Sequence, residues 1–257
     1  KITKKTKAII ATHIYNFPLR VDILKKICKK NKIILIEDAA EAIGQKLNDR
    51  LCGSFGDISI FSFYANKQIT TGEGGMITTN SKKLYEQSKS LRNLCFGKQD
   101  RFNHEDIGWN YRMTNLQASL GVSQLKRIRS IVGRRHRVGN EYFQKLKNNK
   151  NIYIPETTRS YAKNIYWVIA FVITNKNLKI DGKKLMKMLL KYGIQTRPFF
   201  WPMHKQKVFK EKYKINTSGK YKNSEYISKY GLYLPSSLDI KSNQIKFICN
   251  KVNSILK

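Results

Sequence analysis

An acid at the end of one apolar run and a lysine just past the end of another are the residues of this 257-residue chain best placed to do chemistry. Ile33-Ile34-Leu35-Ile36 ends in Glu37-Asp38-Ala39-Ala40, and Asp57-Ile58-Ser59-Ile60-Phe61-Ser62-Phe63 is followed closely by Lys67. A carboxylate paired with a pyridine nitrogen keeps that ring protonated, and the ring can then accept an electron pair. A lysine in a partly desolvated site has a lowered pKa, so it can form a Schiff base and later carry a proton. An acid at one strand end, a lysine just past another and the glycine hairpin that follows are together the parts of a pyridoxal 5'-phosphate site, and Ser62 reaches the same rim.

The elements that must position these groups follow from the flanking pattern. A continuous apolar run such as Ile33–Ile36 fits a parallel sheet buried on both faces, and in open α/β sheets ligands sit outside the carboxyl ends of the strands. Ala8-Ile9-Ile10-Ala11-Thr12 reads as an earlier strand. Val21, Leu24, Ile27 and Cys28 fall at helical spacing, giving a crossover helix between the two. His13 is expected as a hydrogen-bonded loop histidine. Gly72, Gly74 and Gly75 predict a turn with positive φ before a returning strand at Met76–Thr79, and Glu73 within it is assigned no chemistry.

Ser81 is placed to cap a helix running to Leu91. Residues 92–105 read as a polar loop in which Lys98 and Arg101 are solvated charges or meet phosphates. From Thr114 to Lys147 the pattern is helical, capped by Thr114 or Asn115, with Leu116, Leu120, Leu125, Ile128 and Val132 on an apolar stripe and a break expected near Gly133. A boundary at 149–155 divides a large domain, 1–150, from a small one, 151–257. The small domain is predicted to hold a strand at 166–174, a helix from Asp181 to Tyr192, a short strand at 194–196 and a last helix at 242–256.

Three stretches, EDAAEAIG, GSFGDISIFSFYANKQITTGEGGM and IGWNYRMTNLQASLG, occur in an order that resembles the sugar-nucleotide aminotransferases of the DegT/DnrJ/EryC1/StrS family, most closely their perosamine-forming branch. The resemblance covers most of the chain. It implies a fold-type I scaffold: an α/β large domain with a mainly parallel sheet and a smaller α+β carboxyl-terminal domain. It implies Lys67 as the Schiff-base lysine, Asp38 on the ring nitrogen, Glu41 near the ring hydroxyl and Ser62 on the cofactor phosphate. Asn110 resembles the asparagine that reaches the phosphate of the neighbouring subunit, which implies a homodimer with a shared site. The activity implied is transfer of an amino group, with glutamate as donor, to a nucleotide-linked 4-keto-6-deoxy sugar. Lysine at position 67, where dehydratases of the same family carry histidine, argues against dehydration. The resemblance also implies that relatives carry an earlier segment with the first helices, a phosphate-cradling Gly-Thr turn and an aromatic that stacks on the ring.

Arg197-Pro198-Phe199-Phe200-Trp201-Pro202-Met203-His204 gathers a guanidinium, an imidazole and three aromatics in eight residues, unusual for a connector. A similar segment lies over the substrate in the family, so the resemblance implies that Arg197 and His204 contact the anionic or hydroxyl parts of the nucleotide-sugar, the alternative being a purely structural role.

Composition sets the outer bounds. Four scattered cysteines without a C-x-x-C pair indicate neither a zinc site nor a disulfide framework, which fits a reducing, cytoplasmic setting. No apolar run is long enough to span a bilayer. The net charge of +33 raises nucleic-acid binding as an alternative, as does a non-catalytic remnant of the same fold. The lysines, however, are spread over nearly every segment. The only tight basic cluster is Arg134-Arg135-His136-Arg137.

Overall fold

The computed structural model describes residues 1–97, 99 and 102–257. Lys98 and Arg101 lie outside the described residues. In chain order the elements are β1 (Ala8–Thr12), α1 (Val21–Asn31), β2 (Ile34–Asp38), β3 (Lys46–Leu47), β4 (Arg50–Leu51), β5 (Ile58–Ser62) and β6 (Gly75–Thr78). Next come α2 (Lys82–Arg92), α3 (Asn115–Leu125), α4 (Ile128–Leu146), β7 (Ile152–Tyr153), β8 (Thr158–Arg159), β9 (Ala162–Lys163) and β10 (Ile169–Ile173). The chain closes with α5 (Gly182–Leu190), β11 (Arg197–Pro198), α6 (Lys207–Glu211), α7 (Lys222–Tyr230), β12 (Gly231–Leu234) and α8 (Ser242–Ile255). These form two compact units, Lys1–Gly133 with Thr158–Trp167, and Arg134–Thr157 with Val168–Lys257.

The first unit is built on a four-stranded sheet in the order β1-β2-β5-β6. β1, β2 and β5 are parallel, and β6 returns antiparallel with Ser62 opposite Gly75. The return uses Gly72 at φ +78 and Gly74 at φ +143, backbone conformations that favour glycine. Helix α1 lies on one face, where Ala11, Val21, Cys28, Leu35, Leu47 and Phe55 make the core.

The other face differs from the expectation of strands buried on both sides. Ile10, Ile34, Ile60 and Ile77 are 67%, 46%, 38% and 50% exposed. The apolar run at 33–36 therefore behaves as an alternating strand: Leu35 is sealed under α1 and its neighbours face outward. Helix α3 is likewise apolar yet has no buried residue.

Caps form where the sequence placed them. Ser81 Oγ accepts from Leu84 N–H, Asp181 from Lys184 N–H, and Thr114 forms a reciprocal capping box with Gln117. The helical break lies at Lys126–Arg127 rather than near Gly133, which sits inside α4. Helix ends are set by local turn bonds, here Lys126 N–H to Val122 O and Arg127 N–H to Gln124 O, and glycine alone does not force one.

The second unit carries an antiparallel sheet in the order β11-β12-β10-β7. Phe171, Leu185, Leu189, Leu232, Leu234, Ile245 and Val252 fill its core. The predicted strand at 194–196 is replaced by a two-residue strand at Arg197–Pro198, and β10 begins at Ile169 rather than Tyr166. Tyr166 cannot continue a strand because its φ is +50. Among the described residues no helix is long and apolar enough to cross a membrane.

Candidate active site

Asp38 and Ser62 are the last residues of β2 and β5. The register sets Asp38 opposite Ile60, so both end at the same rim of the parallel strands. Because side chains alternate along a strand, Asp38 shares the open face with Ile34 and Ile36, and Ser62 shares it with Ile60. Asp38 Oδ1 accepts the Ala40 N–H at 3.1 Å, whereas among the described residues Oδ2 has only a long 3.5 Å contact from Thr12 Oγ1. That oxygen keeps capacity for a stronger donor. Ser62 Oγ accepts the Tyr64 N–H at 3.2 Å.

Lys67 sits in the connection after β5, where its N–H donates to Tyr64 O at 3.0 Å. Its side chain is half-buried, with Nζ 4.4 Å from the centroid of the Trp167 ring. Burial lowers the pKa of this amine, against the opposing pull of the Glu41 and Asp38 carboxylates. Glu41 is buried, and its Oε2 accepts the Tyr15 N–H at 2.6 Å. Burial pushes its carboxyl up to about 7, with the Tyr15 amide and Lys67 opposing and Asp38 adding to the rise. Asp38, Glu41 and Lys67 thus form one electrostatic group, with an amine shifted toward neutrality beside an acid that exchanges its proton near neutral pH.

The carboxylate next in sequence to Asp38 does a different job. Glu37 points to the covered face, fully buried, and accepts N–H donors from Gly53 at 2.6 Å, Phe55 at 2.8 Å and Gly56 at 2.9 Å. His13 Nε2 lies 2.9 Å from Glu37 Oε1, and His13 Nδ1 accepts from Leu19 N–H, so Nε2 carries the proton and donates. Cys52 Sγ belongs to the same buried group of potential metal ligands. Both imidazole nitrogens and both carboxylate oxygens are already engaged, so this arrangement is a hydrogen-bonded scaffold. It carries the expected loop histidine, and His13 N–H also donates to Asp38 O at 3.0 Å.

The remaining predicted site residues have their own described partners. Asn110 is exposed, forms a β-bridge with Asn93, and accepts on its carboxamide oxygen from Arg112 Nε–H at 2.9 Å. None of its described bonds is to Asp38, Glu41, Ser62 or Lys67. In the second unit Arg197 lines a cavity of about 700 Å³ together with Lys183, Phe199, Phe200, Trp201 and Tyr233. His204 is not among its lining residues. Its Nε2 is 3.0 Å from Glu225 Oε1 and its ring lies 4.6 Å from that of Tyr221. Sequence reasoning missed Trp167, which the apolar run following it disguised as part of a strand. It also missed Glu37, for which strand alternation was the available signal.

The family model for DegT/DnrJ/EryC1/StrS aminotransferases matches residues 1–253. The chain belongs to this family. Among its relatives are the GDP-perosamine synthase of Escherichia coli O157:H7, 34% identical over 256 residues, and that of Vibrio cholerae, 35% identical over 257 residues. The matches cover 98% and 99% of this chain but 66% and 68% of those proteins, so the chain spans about two thirds of their length. The structure resembles that of Helicobacter pylori PseC, an aminotransferase involved in pseudoaminic acid biosynthesis, at a TM-score of 0.91 and 25% identity, over 99% of this chain and 68% of that one. The structure of S. venezuelae DesV in complex with a ketimine intermediate superposes at a TM-score of 0.88 and 25% identity, over 100% of this chain and 67% of that one. The fold is thus that of the family's sugar aminotransferases, whose cofactor is pyridoxal phosphate.

Proposed function

We propose that this chain carries the lysine-bearing part of a pyridoxal-phosphate enzyme that moves an amino group from glutamate to a nucleotide-linked 4-keto-6-deoxy sugar, of the perosamine-forming kind. The observation that carries the reading is the half-buried Lys67 amine, its pKa lowered, in one electrostatic group with Asp38 and Glu41 at the carboxyl ends of parallel strands. The donor set fits the cofactor. Asp38 Oδ2 has room for a protonated ring nitrogen, Lys67 offers an amine to an aldehyde, and the Ser62 hydroxyl can donate to a phosphate oxygen.

When bound, pyridoxal phosphate supplies an electron sink that renders the Cα–H of an amino donor acidic. Lys67 would hold the cofactor and, once released, take the proton from the donor's Cα as a general base. Its lowered pKa raises the neutral fraction that can do so near pH 7. Asp38 would keep a proton on the ring nitrogen. Glu41, titrating near neutrality, would stay protonated or not according to the charge on Lys67. Asn110 would serve the cofactor phosphate of a neighbouring subunit in a homodimer, and Arg197, within its aromatic cavity, would meet the anionic part of the nucleotide-sugar.

The test is to add pyridoxal phosphate to the chain, reduce with borohydride and map the labelled peptide by mass spectrometry. Label on Lys67, lost in Lys67→Ala, is the expected result. A folded sample with no label, or with label spread over surface lysines, would overturn the proposal.

A further inference from the structure

Lys67 does not lie free in its site. Its Nζ is seated 4.4 Å over the Trp167 ring, and Trp167 is only 2% exposed. The sequence between Thr158 and Trp167 returns to the first unit and is fastened there at three points. Asn48 N–H donates to Tyr161 O at 2.8 Å, Gln45 Nε2 to Lys163 O at 2.8 Å, and Ile165 N–H to Asn16 O at 3.4 Å. The final approach is made on left-handed backbone: Tyr166 has φ +50, and its N–H is held by the buried Asn164 Oδ1 at 2.9 Å. Tyr15, also left-handed at φ +66, sets its ring 6.1 Å from the indole and gives its N–H to Glu41. Two non-glycine residues in a costly conformation flank one indole, and such strain persists only where the surroundings enforce it.

We propose that Trp167 is a positioning residue for Lys67: its indole face seats the protonated amine by a cation–π contact and fixes it opposite the carboxylates of Asp38 and Glu41. The inference rests on the reading of Lys67 as the amine that bonds the cofactor. Two effects of the ring oppose each other. As an apolar wall it desolvates the amine and disfavours the charged form, whereas its quadrupole attracts the cation and favours it. Among the described residues, the charged groups acting on Lys67 are Glu41, from the turn after β2, and Asp38, from the end of β2; the indole is the apolar surface its Nζ lies over. An apolar side chain without a ring keeps the first effect and removes the second, so the sign of the change separates positioning from simple packing.

The experiment is competitive acylation of the full 257-residue chain, without cofactor, across pH 6–11, with the midpoint of Lys67 read by peptide mass spectrometry against surface lysines. Trp167→Leu should lower the Lys67 midpoint by roughly half a unit to one unit, Trp167→Phe should restore part of it, and surface lysines should not move. An unchanged or raised midpoint in Trp167→Leu would overturn the proposal. Should that variant fail to fold, biosynthetic replacement of tryptophan by 5-fluorotryptophan weakens the ring quadrupole at nearly constant shape. A lowered midpoint there supports the contact and an unmoved one refutes it. Because no cofactor is present, this result is independent of whether borohydride labels Lys67.

Discussion

Replacing Glu37 by glutamine is the sharpest test of how the site is held. The side chain keeps its shape, but only one of its two polar atoms remains an acceptor. Oε1 takes Gly53 N–H and His13 Nε2–H, and Oε2 takes Phe55 N–H and Gly56 N–H. Whichever position becomes the amide nitrogen, two buried donors then face a donor. At about 1–3 kcal/mol for each unsatisfied group, partly relieved by relaxation, the loss is about 3 kcal/mol. For a chain of this size that corresponds to a fall in Tm of roughly 6–12 °C.

The pH dependence gives a second handle on the same change. Burial raises the Glu37 pKa, but His13 and the three amides outweigh it and leave the carboxyl below its usual range. Its stabilisation is therefore present above the unfolded-state pKa of about 4.3 and is lost as pH falls through the lower folded value. Differential scanning calorimetry of both proteins at pH 7 and in steps from about pH 4 down to about pH 2 should show a large gap that narrows over the acid steps. A Glu37→Gln protein melting within about 1 °C of the parent at pH 7 would refute the reasoning, as would a gap that widens in acid.

Glu41→Gln should act with the opposite sign. The Glu41 pKa is raised to about 7, so its favourable contribution is complete below the unfolded value and lost as pH rises through 7. The parent should lose up to about 3 kcal/mol relative to the variant between pH 4 and pH 8, read as crossing Tm curves. Thr114→Ala removes one arm of the capping box and should cost about 1 kcal/mol in urea denaturation, most of it restored by Ser. In a protein with the proposed activity, Arg197→Ala should raise KM for the nucleotide-sugar at least tenfold, the scale of a lost charge-assisted hydrogen bond. His204→Ala should act first on stability, because its imidazole is bonded to Glu225. Equal KM effects from the two would contradict the placement of Arg197 alone in the cavity.

How far the sequence could be read depended on whether a signal was local. Caps at Ser81, Thr114 and Asp181 are decided within four residues and were all legible, as were the strands ending in Asp38 and Ser62. The break at Lys126–Arg127 was not, since a glycine seven residues on offered a more conspicuous marker and proved to be ordinary helix. Trp167 was hidden for a stronger reason. What brings it to Lys67 is a pair of left-handed residues and three hydrogen bonds to segments more than a hundred residues earlier, and none of these leaves a periodic trace.

The pair Glu37-Asp38 shows how much chemistry a strand can separate in a single step. Side chains one residue apart point to opposite faces, so two adjacent carboxylates meet opposite environments. The inward one is saturated by three amides and an imidazole, and it ties the 53–56 loop and His13 to β2. The outward one is left with an oxygen that, among the described residues, is held only at 3.5 Å. A one-residue slip of β2 would exchange them, burying an under-bonded carboxylate and exposing the saturated one, at a cost comparable to losing a buried charge network. Glu37 therefore fixes the register that aims Asp38 outward. The His13 N–H bond to Asp38 O makes the same loop responsible for both, so a change at Glu37 should disturb the chemistry at Asp38 even where the fold survives.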